Sequence, residues 1–225
     1  MILNKKRKIR SAAAVIVLFV ALAAGQMTDS KKSGPKQLEE LVLASGRMPR
    51  AGGGEVTVEL CMKNGIYYDD TMDEYFPSIY AYEHNYEGNY VIRTVDEAGT
   101  VLCERGLEEL FQDRGEVFNF PQEFALAWED YNADGCPDFT IGQPQNASNM
   151  GYVLLTVRED GAVERLCRQE ISETNQPGER FSVILEHGGT MEKHTITSCF
   201  YNNVVGEVQE QTYEYRAQSG MYEII

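Results

Sequence analysis

The residues best suited to chemistry form one short acidic stretch, which reads D-x-N-x-D-G-x-x-D between positions 130 and 138. Oxygen-bearing side chains stand at alternate positions, and a glycine stands at the sixth. Oxygen ligands at this spacing can converge on one hard cation where the chain turns around it, and Gly135 permits that turn. The predicted ligands are the side chains of Asp130, Asn132, Asp134 and Asp138 and the backbone carbonyl of Cys136.

These ligand types favour Ca²⁺ as the bound ion. Three carboxylates, an amide and a carbonyl are hard oxygen donors, and Ca²⁺ accepts six to eight of them in flexible geometry, whereas Mg²⁺ prefers a rigid octahedron. Softer metals have no suitable ligand, because no histidine lies nearby and the cysteine enters through its backbone. The alternative is an Asx-rich turn that binds no metal, since Asp and Asn also close turns through their own side chains.

The stretch departs from a helix-loop-helix calcium site. Ile141 stands at position twelve, where such sites have Glu, and Pro137 with a β-prone segment replaces the start of the exiting helix. We therefore expect Asp138 to bind the ion directly and the loop to join two strands.

A D-x-N-x-D-G-x-x-D loop followed by an apolar strand that ends in Gly142 resembles the FG-GAP or VCBS-type repeat, found in integrin-like β-propellers and many secreted bacterial proteins. The resemblance covers about residues 124–157. It implies a structural calcium ion bound by the five ligands named above. It also implies that the loop joins strands of one propeller blade.

The elements around the loop are predicted to be strands. From Glu55 onward apolar residues recur at every second position, as in Val56, Val58, Leu60 and Met62, which is typical of a half-buried strand. Further predicted strands are Tyr90–Val95, Thr100–Arg105, Phe124–Glu129, Phe139–Gly142, Tyr152–Val157, Ala162–Cys167, Phe181–Glu186, His194–Tyr201, Glu207–Tyr215 and Tyr222–Ile225. After Gly54 only Leu107–Gln112 has helical periodicity. The predicted fold is all-β, with antiparallel β-meander sheets in a propeller-like arrangement or, alternatively, a β-sandwich.

An internal echo favours a repeated β unit. Residues 94–101 and 156–163 both read T-V-x-E-x-G-x-V, and each glycine suits the positive φ of a hairpin turn. The alternative is that two hairpins share turn chemistry by chance.

The N-terminal segment has the order of an export signal: a basic stretch from Lys5 to Arg10, then an apolar run from Ala12 to Ala24. Thirteen apolar residues are short for a membrane span, which favours cleavage near Ala23 or Ala24, with a retained anchor helix as the alternative. The predicted division is a signal peptide or anchor at 1–24, a linker at 25–54 and an all-β calcium-loop domain at 55–225. Within the linker, residues 35–44 either form a short helix or remain irregular.

Charge excludes some partners. The chain carries 20 basic and 35 acidic residues, and without the five basic residues of the first 24 positions its net charge falls from −15 to −20. Such a body repels nucleic acid and anionic membranes, so contact with a membrane is expected only through an uncleaved N-terminal segment. Export permits disulfides, but five scattered cysteines leave at least one thiol without an intrachain partner.

Seven of the 13 tyrosines fall between positions 67 and 90. They favour either a ligand-stacking surface or ordinary half-buried positions on β faces. The ligand-binding candidates are Tyr67, Tyr68, Tyr75, Tyr80 and Tyr82.

No motif of nucleophilic catalysis is present, so we do not expect an enzyme. The sequence predicts a secreted or cell-surface calcium-binding module that recognises an extracellular protein or a glycan. The sharper alternative is an inhibitor or immunity protein against a lysozyme-like lytic enzyme of the cell wall.

Overall fold

The computed structural model describes residues 35–50, 52–69, 84–112, 114–121, 124–146, 148–174, 181–190 and 193–225. These residues form antiparallel, sandwich-like sheets, none of which closes into a barrel, so the all-β prediction is confirmed. In these ranges no helix has the length and apolarity to cross a membrane. The predicted signal or anchor at 1–24 lies outside them.

The first sheet is built on one long hairpin. Its strands are β1 (Lys36–Leu38), β2 (Leu41–Pro49), β3 (Glu55–Asp69), β4 (His84–Asp96), β5 (Val101–Gly106) and β6 (Phe118–Pro121). Residues 55–62 of β3 pair with β2, and residues 91–95 of β4 pair with β5. The other half of the hairpin pairs with β1, at residues 65–67, and with β6, at residues 85–88. The halves meet where Gly65 faces Gly88, and a Cβ on Gly88 would lie only 2.1 Å from the carbonyl oxygen of Asn64. Glycine is therefore required at this crossing of backbones.

The short helix predicted for residues 35–44 is wrong, because these residues belong to β1 and β2. Leu41 pairs with Met62 on β3, and the extended conformation buries Ala44 and Met48 in the core. So short a helix gains little by itself, whereas an edge strand gains the hydrogen bonds of the β3 ladder. The sheet therefore begins at Lys36 rather than at residue 55. The helical turn predicted near 107 is confirmed as α1 (Leu107–Leu110).

The second sheet carries the acidic loop. It contains β7 (Trp128–Glu129), β8 (Asp138–Asn146), β9 (Asn149–Val157), β10 (Val163–Arg165) and β11 (Ile171–Thr174). Strand β9 is buried at every position, and it pairs with β8 at one edge and with β10 and β11 at the other. Of the strand predicted at residues 124–129, only the last two residues pair.

The strand predicted at residues 181–186 is wrong. The backbone N–H and carbonyl of Val183 both bind Oγ1 of Thr140, at 2.8 Å each, so a side chain stands where a ladder partner would be. The segment nevertheless runs along β8, because the Gly142 N–H donates to the carbonyl of Phe181 at 2.8 Å.

The third sheet is a four-stranded meander of β12 (His187–Thr190), β13 (Lys193–Asn202), β14 (Glu207–Arg216) and β15 (Met221–Ile224). Its last strand is bonded to the segment that connects β10 and β11 of the second sheet: the Tyr222 N–H donates to the carbonyl of Leu166 at 2.6 Å, and the Arg168 N–H donates to the carbonyl of Tyr222 at 3.1 Å. The two sheets are thus joined through the backbone of Tyr222.

The two hairpins that contain the repeated T-V-x-E-x-G-x-V pattern, at residues 94–101 and 156–163, share one turn geometry and contact each other. Gly99 and Gly161 both have positive φ, 83° and 90°, and the hydroxyl of Thr94 donates to the carbonyl of Gly161 at 2.7 Å. Aromatic rings fill the adjoining core, with Phe120 packed 4.7 Å from Tyr90 and 5.3 Å from Phe181. All five cysteines are described and carry free thiols.

Candidate metal centre

The acidic loop, residues 130–138, joins β7 to β8. Its ends are held by the strand pairs Glu129↔Asp138 and Trp128↔Phe139. The loop therefore runs from strand to strand, as its sequence predicts. Ala133 and Gly135 have positive φ, 56° and 88°, and these two residues turn the chain.

The side chains of the loop are bonded to its own backbone. The two carboxylate oxygens of Asp130 accept from the N–H groups of Asp134 at 3.2 Å and Gly135 at 3.0 Å. Asn132 Oδ1 accepts from the Asp134 N–H at 3.0 Å, and Asp134 Oδ1 accepts from the Cys136 N–H at 2.8 Å. This network gathers four of the five predicted ligand residues into one turn, in the manner of linked Asx turns.

Asp138, the fifth predicted ligand, differs from the other acids. It is fully buried, and its Oδ2 accepts from the Tyr131 N–H at 3.0 Å, while its Oδ1 is buried without a hydrogen-bond partner. Burial raises the pKa of Asp138 to about 7, and the negative charges of Asp134 and Asp130 add to the rise, against hydrogen bonds from Thr156 and the Tyr131 backbone. A buried carboxylate oxygen without a donor is costly, so it marks a place where a cation would be favourable.

The donor chemistry of the acidic loop therefore fits Ca²⁺, since every candidate ligand atom is oxygen and the buried one lacks a partner. The side chains do not, however, converge on a common point. Within the residues that the structure describes, no three Asp, Glu, His or Cys side chains are gathered closely enough to hold a metal ion. The thiol of Cys136 is buried, which raises its pKa, so only its carbonyl suits a hard cation.

Two tyrosines that sequence reasoning missed fasten the acidic loop to the third sheet and the segment before it. Tyr131 is buried, and its hydroxyl accepts from the Leu185 N–H at 2.7 Å. The hydroxyl of Tyr222 donates to the carbonyl of Tyr131 at 2.6 Å. The signal available in the sequence was the position of Tyr131 between two ligand residues, where an apolar ring faces away from them.

The only tryptophan of the chain lies beside the loop. The ring of Trp128 packs 5.3 Å from that of Phe139, and a Cβ added to Gly46 would lie 2.6 Å from its Cζ2 atom. Because Trp128 is two residues from Asp130 and Phe139 follows Asp138, tryptophan fluorescence can report a change in the loop.

Two of the tyrosine candidates, Tyr67 and Tyr68, are described by the structure. Tyr67 and Tyr68 are neighbours on β3 and face opposite sides: Tyr67 packs on Tyr86 at 5.1 Å and on His84 at 6.2 Å, whereas the hydroxyl of Tyr68 donates to Glu87 at 3.1 Å. The candidates Tyr75, Tyr80 and Tyr82 lie outside the described residues.

A cavity of about 440 Å³ opens on the first sheet between the start of β3 and the β4–β5 turn, and carboxylates contribute to its lining. Glu97 accepts from the Glu55 N–H at 2.9 Å, Asp96 accepts from two N–H groups of its own turn, and Glu59 is paired with the guanidinium of Arg93 at 2.8 Å. Each of these three acids is thus engaged by a protein donor.

Comparison of the chain with family models, with curated proteins and with solved structures gives no match. The case for a function therefore depends on the residues of the chain itself.

Proposed function

We propose that the chain is an exported or cell-surface binding module whose acidic loop is locked by Ca²⁺. The observation that carries the proposal is the buried Oδ1 of Asp138, which has no donor and lies in the field of Asp130 and Asp134. Asp130, Asn132, Asp134, Asp138 and the carbonyl of Cys136 would hold the ion. Its contribution would be structural: positive charge that offsets three carboxylates at the junction of β7 and β8.

The contacts of the chain explain why such an ion would matter beyond the loop. Tyr131 lies inside the loop and is bonded to Leu185 and Tyr222, so an ordered loop positions the segment before β12 and the edge strand β15. Strand β15 is in turn bonded to Leu166 and Arg168, which lie between β10 and β11 of the second sheet. A fixed loop would thus hold two sheets in one arrangement and keep their surface loops ready to bind.

Export enters the proposal through the basic and apolar order of the first 24 residues, with cleavage and retention as an anchor both open. The propeller-like arrangement is proposed on the same footing. The resemblance of the acidic loop supports it, as does the succession of antiparallel meanders along the chain, and a β-sandwich is the alternative.

The test is a calcium titration of the full chain, measured by calorimetry and by Trp128 fluorescence. Melting curves are recorded in Ca²⁺ and in EDTA. We expect Ca²⁺ to raise the melting temperature and Asp134→Ala to abolish the rise. Asp160→Ala is the matched control, because Asp160 is also exposed and accepts one backbone N–H, from Ala162 at 3.0 Å, outside the loop. Equal melting of the wild-type chain in Ca²⁺ and in EDTA would refute the calcium part of the proposal.

A further inference from the structure

The β13–β14 hairpin ends in an exposed apolar turn, the hairpin tip, residues 202–208. Val204 is 93% exposed, Val208 58% and Val205 55%. Single exposed apolar side chains are ordinary on a protein surface, but three within five residues form a patch that water solvates poorly. Burial of these valines against a partner would therefore remove apolar surface from water and favour binding.

The tip is built rigidly despite its exposure. Asn202 Oδ1 accepts from the N–H groups of Val204 at 2.9 Å and Val205 at 3.4 Å, and its Nδ2 donates to Gln209 at 2.7 Å. Gly206 closes the turn with φ 76° and an N–H bond to the carbonyl of Asn202 at 2.8 Å. A preformed turn loses little conformational entropy on binding, so it is suited to insertion into a recess.

The base of the hairpin is fixed to the second sheet. The side chain of Asn149 is buried, donating to the carbonyl of Tyr201 at 2.8 Å and accepting from its N–H at 2.7 Å. Thr174 on β11 donates to the carbonyl of Cys199 at 3.0 Å. The hairpin is thus held up to residue 201, and the apolar tip extends beyond the last of these contacts.

The charge around the tip selects one class of partner. The nearest lysine and arginine along the chain, Lys193 and Arg216, lie at the ends of β13 and β14 far from the tip, and Arg216 is paired with Glu214 at 2.8 Å. Glu207 and Glu210 are exposed on β14 beside the tip. A second copy of this chain, with its net charge of −15, or an anionic membrane would be repelled, whereas a cationic protein would be attracted.

We infer that the hairpin tip inserts its valines into an apolar recess on a cationic protein, while the neighbouring glutamates bind basic residues at the rim. This inference rests on the proposed function, since it names the surface and the kind of partner that the binding module uses. Loss of apolar contact is expected to act mainly on dissociation, and loss of the charges mainly on association.

The experiment places a photo-crosslinking amino acid at position 203 of the full chain, or at position 116 as a control, and identifies adducts from cell-surface extract by mass spectrometry. The partner is then purified and titrated with the wild-type chain, with Val204→Ser/Val205→Ser and with Val117→Ser. Val117 is the matched control, because it is 58% exposed, close to the 55% of Val205, and lies outside the hairpin.

We expect an adduct from position 203 with a cationic protein. Its affinity should fall by about tenfold with the double variant, remain unchanged with Val117→Ser, and weaken as salt rises from about 50 to about 500 mM. An adduct between two copies of the chain, tip-dependent binding to phosphatidylcholine vesicles, or a partner that binds the double variant equally well would overturn the inference.

The two proposals fail in different ways. If a partner binds the wild-type chain and the tip variant equally well, the tip inference is refuted and the proposed binding function stands. The absence of any adduct or captured protein removes both. A melting temperature that does not respond to Ca²⁺ refutes only the calcium part of the proposed function.

Discussion

The acidic loop and the hairpin tip are two solutions to one backbone problem. Each joins adjacent antiparallel strands, each contains a glycine of positive φ, at Gly135 and Gly206, and in each an Asx side chain accepts backbone N–H groups of the turn. In the hairpin tip Asn202 makes bonds through both its oxygen and its nitrogen, and the apolar residues face solvent. In the acidic loop the polar side chains include Asp138, which is buried with one oxygen unpaired.

Asx turns alone therefore do not indicate a metal site. Asp96 also accepts two backbone N–H groups, at 2.7 and 2.9 Å, in a turn with a positive-φ glycine, and it is a half-buried structural cap. What distinguishes the acidic loop is a fully buried carboxylate, that of Asp138, with one oxygen that has no hydrogen-bond partner. A cation or a proton can compensate it, and variants separate these possibilities.

The largest effect is expected from Asp138→Asn. Because burial raises the pKa of Asp138 from 3.8 to about 7, its ionised form destabilises the fold progressively as pH rises through that interval, and the cost is complete above it. In EDTA at pH 8 the variant should therefore be more stable, on the order of 2 kcal/mol, since Asn still accepts from the Tyr131 N–H. In Ca²⁺ the melting temperature should no longer rise.

The control is Asp160→Asn, which should leave both melting temperatures nearly unchanged. If Asp138→Asn melts lower than the wild-type chain in EDTA, the carboxylate is compensated by the protein itself, and the contrast with the hairpin tip disappears.

The next effect comes from paired glycine substitutions. A Cβ at Gly135 would meet nothing within 4 Å and one at Gly206 only the Tyr201 hydroxyl at 3.8 Å, so alanine at either site introduces backbone strain alone. Each variant should lose about 1–2 kcal/mol of unfolding free energy. Only Gly135→Ala should also weaken calcium binding by calorimetry. Equal calcium affinity in both variants would mean that the turn geometry does not position the ligands.

How far the sequence predicts each region follows from how local its determinants are. The acidic loop and the burial of Val56 and Leu60 depend on neighbours in the sequence, and their spacing predicts them. Strand β2 depends on pairing with β3, which no local pattern reveals, so its residues were predicted as either a short helix or an irregular linker. The burial of Asp138 likewise depends on the sheet around it and on Tyr222, 84 positions away in the sequence.

A smaller effect is expected from Tyr222→Phe, which removes the hydroxyl that donates to the carbonyl of Tyr131. The loss should be about 1 kcal/mol, with a modest decrease in calcium affinity because the loop is less well anchored. Tyr90→Phe is the matched control: the Tyr90 hydroxyl also donates to a backbone carbonyl, that of Tyr86, at 2.8 Å in the first sheet. It should cost similar stability and leave calcium affinity unchanged. A similar calcium affinity for both variants would show that the Tyr222 contact with the acidic loop does not affect calcium binding.

The smallest effect on stability is expected at the hairpin tip itself. Val204 is 93% exposed, so Val204→Ser removes almost no buried surface, and the unfolding free energy should change by less than about 0.5 kcal/mol. Urea denaturation of the full chain measures this directly. Val183→Ser is the contrasting variant, because Val183 is buried against β8 and its replacement should cost several-fold more. A comparable loss at Val204 would show that the tip packs in the folded chain and is not free to enter a partner.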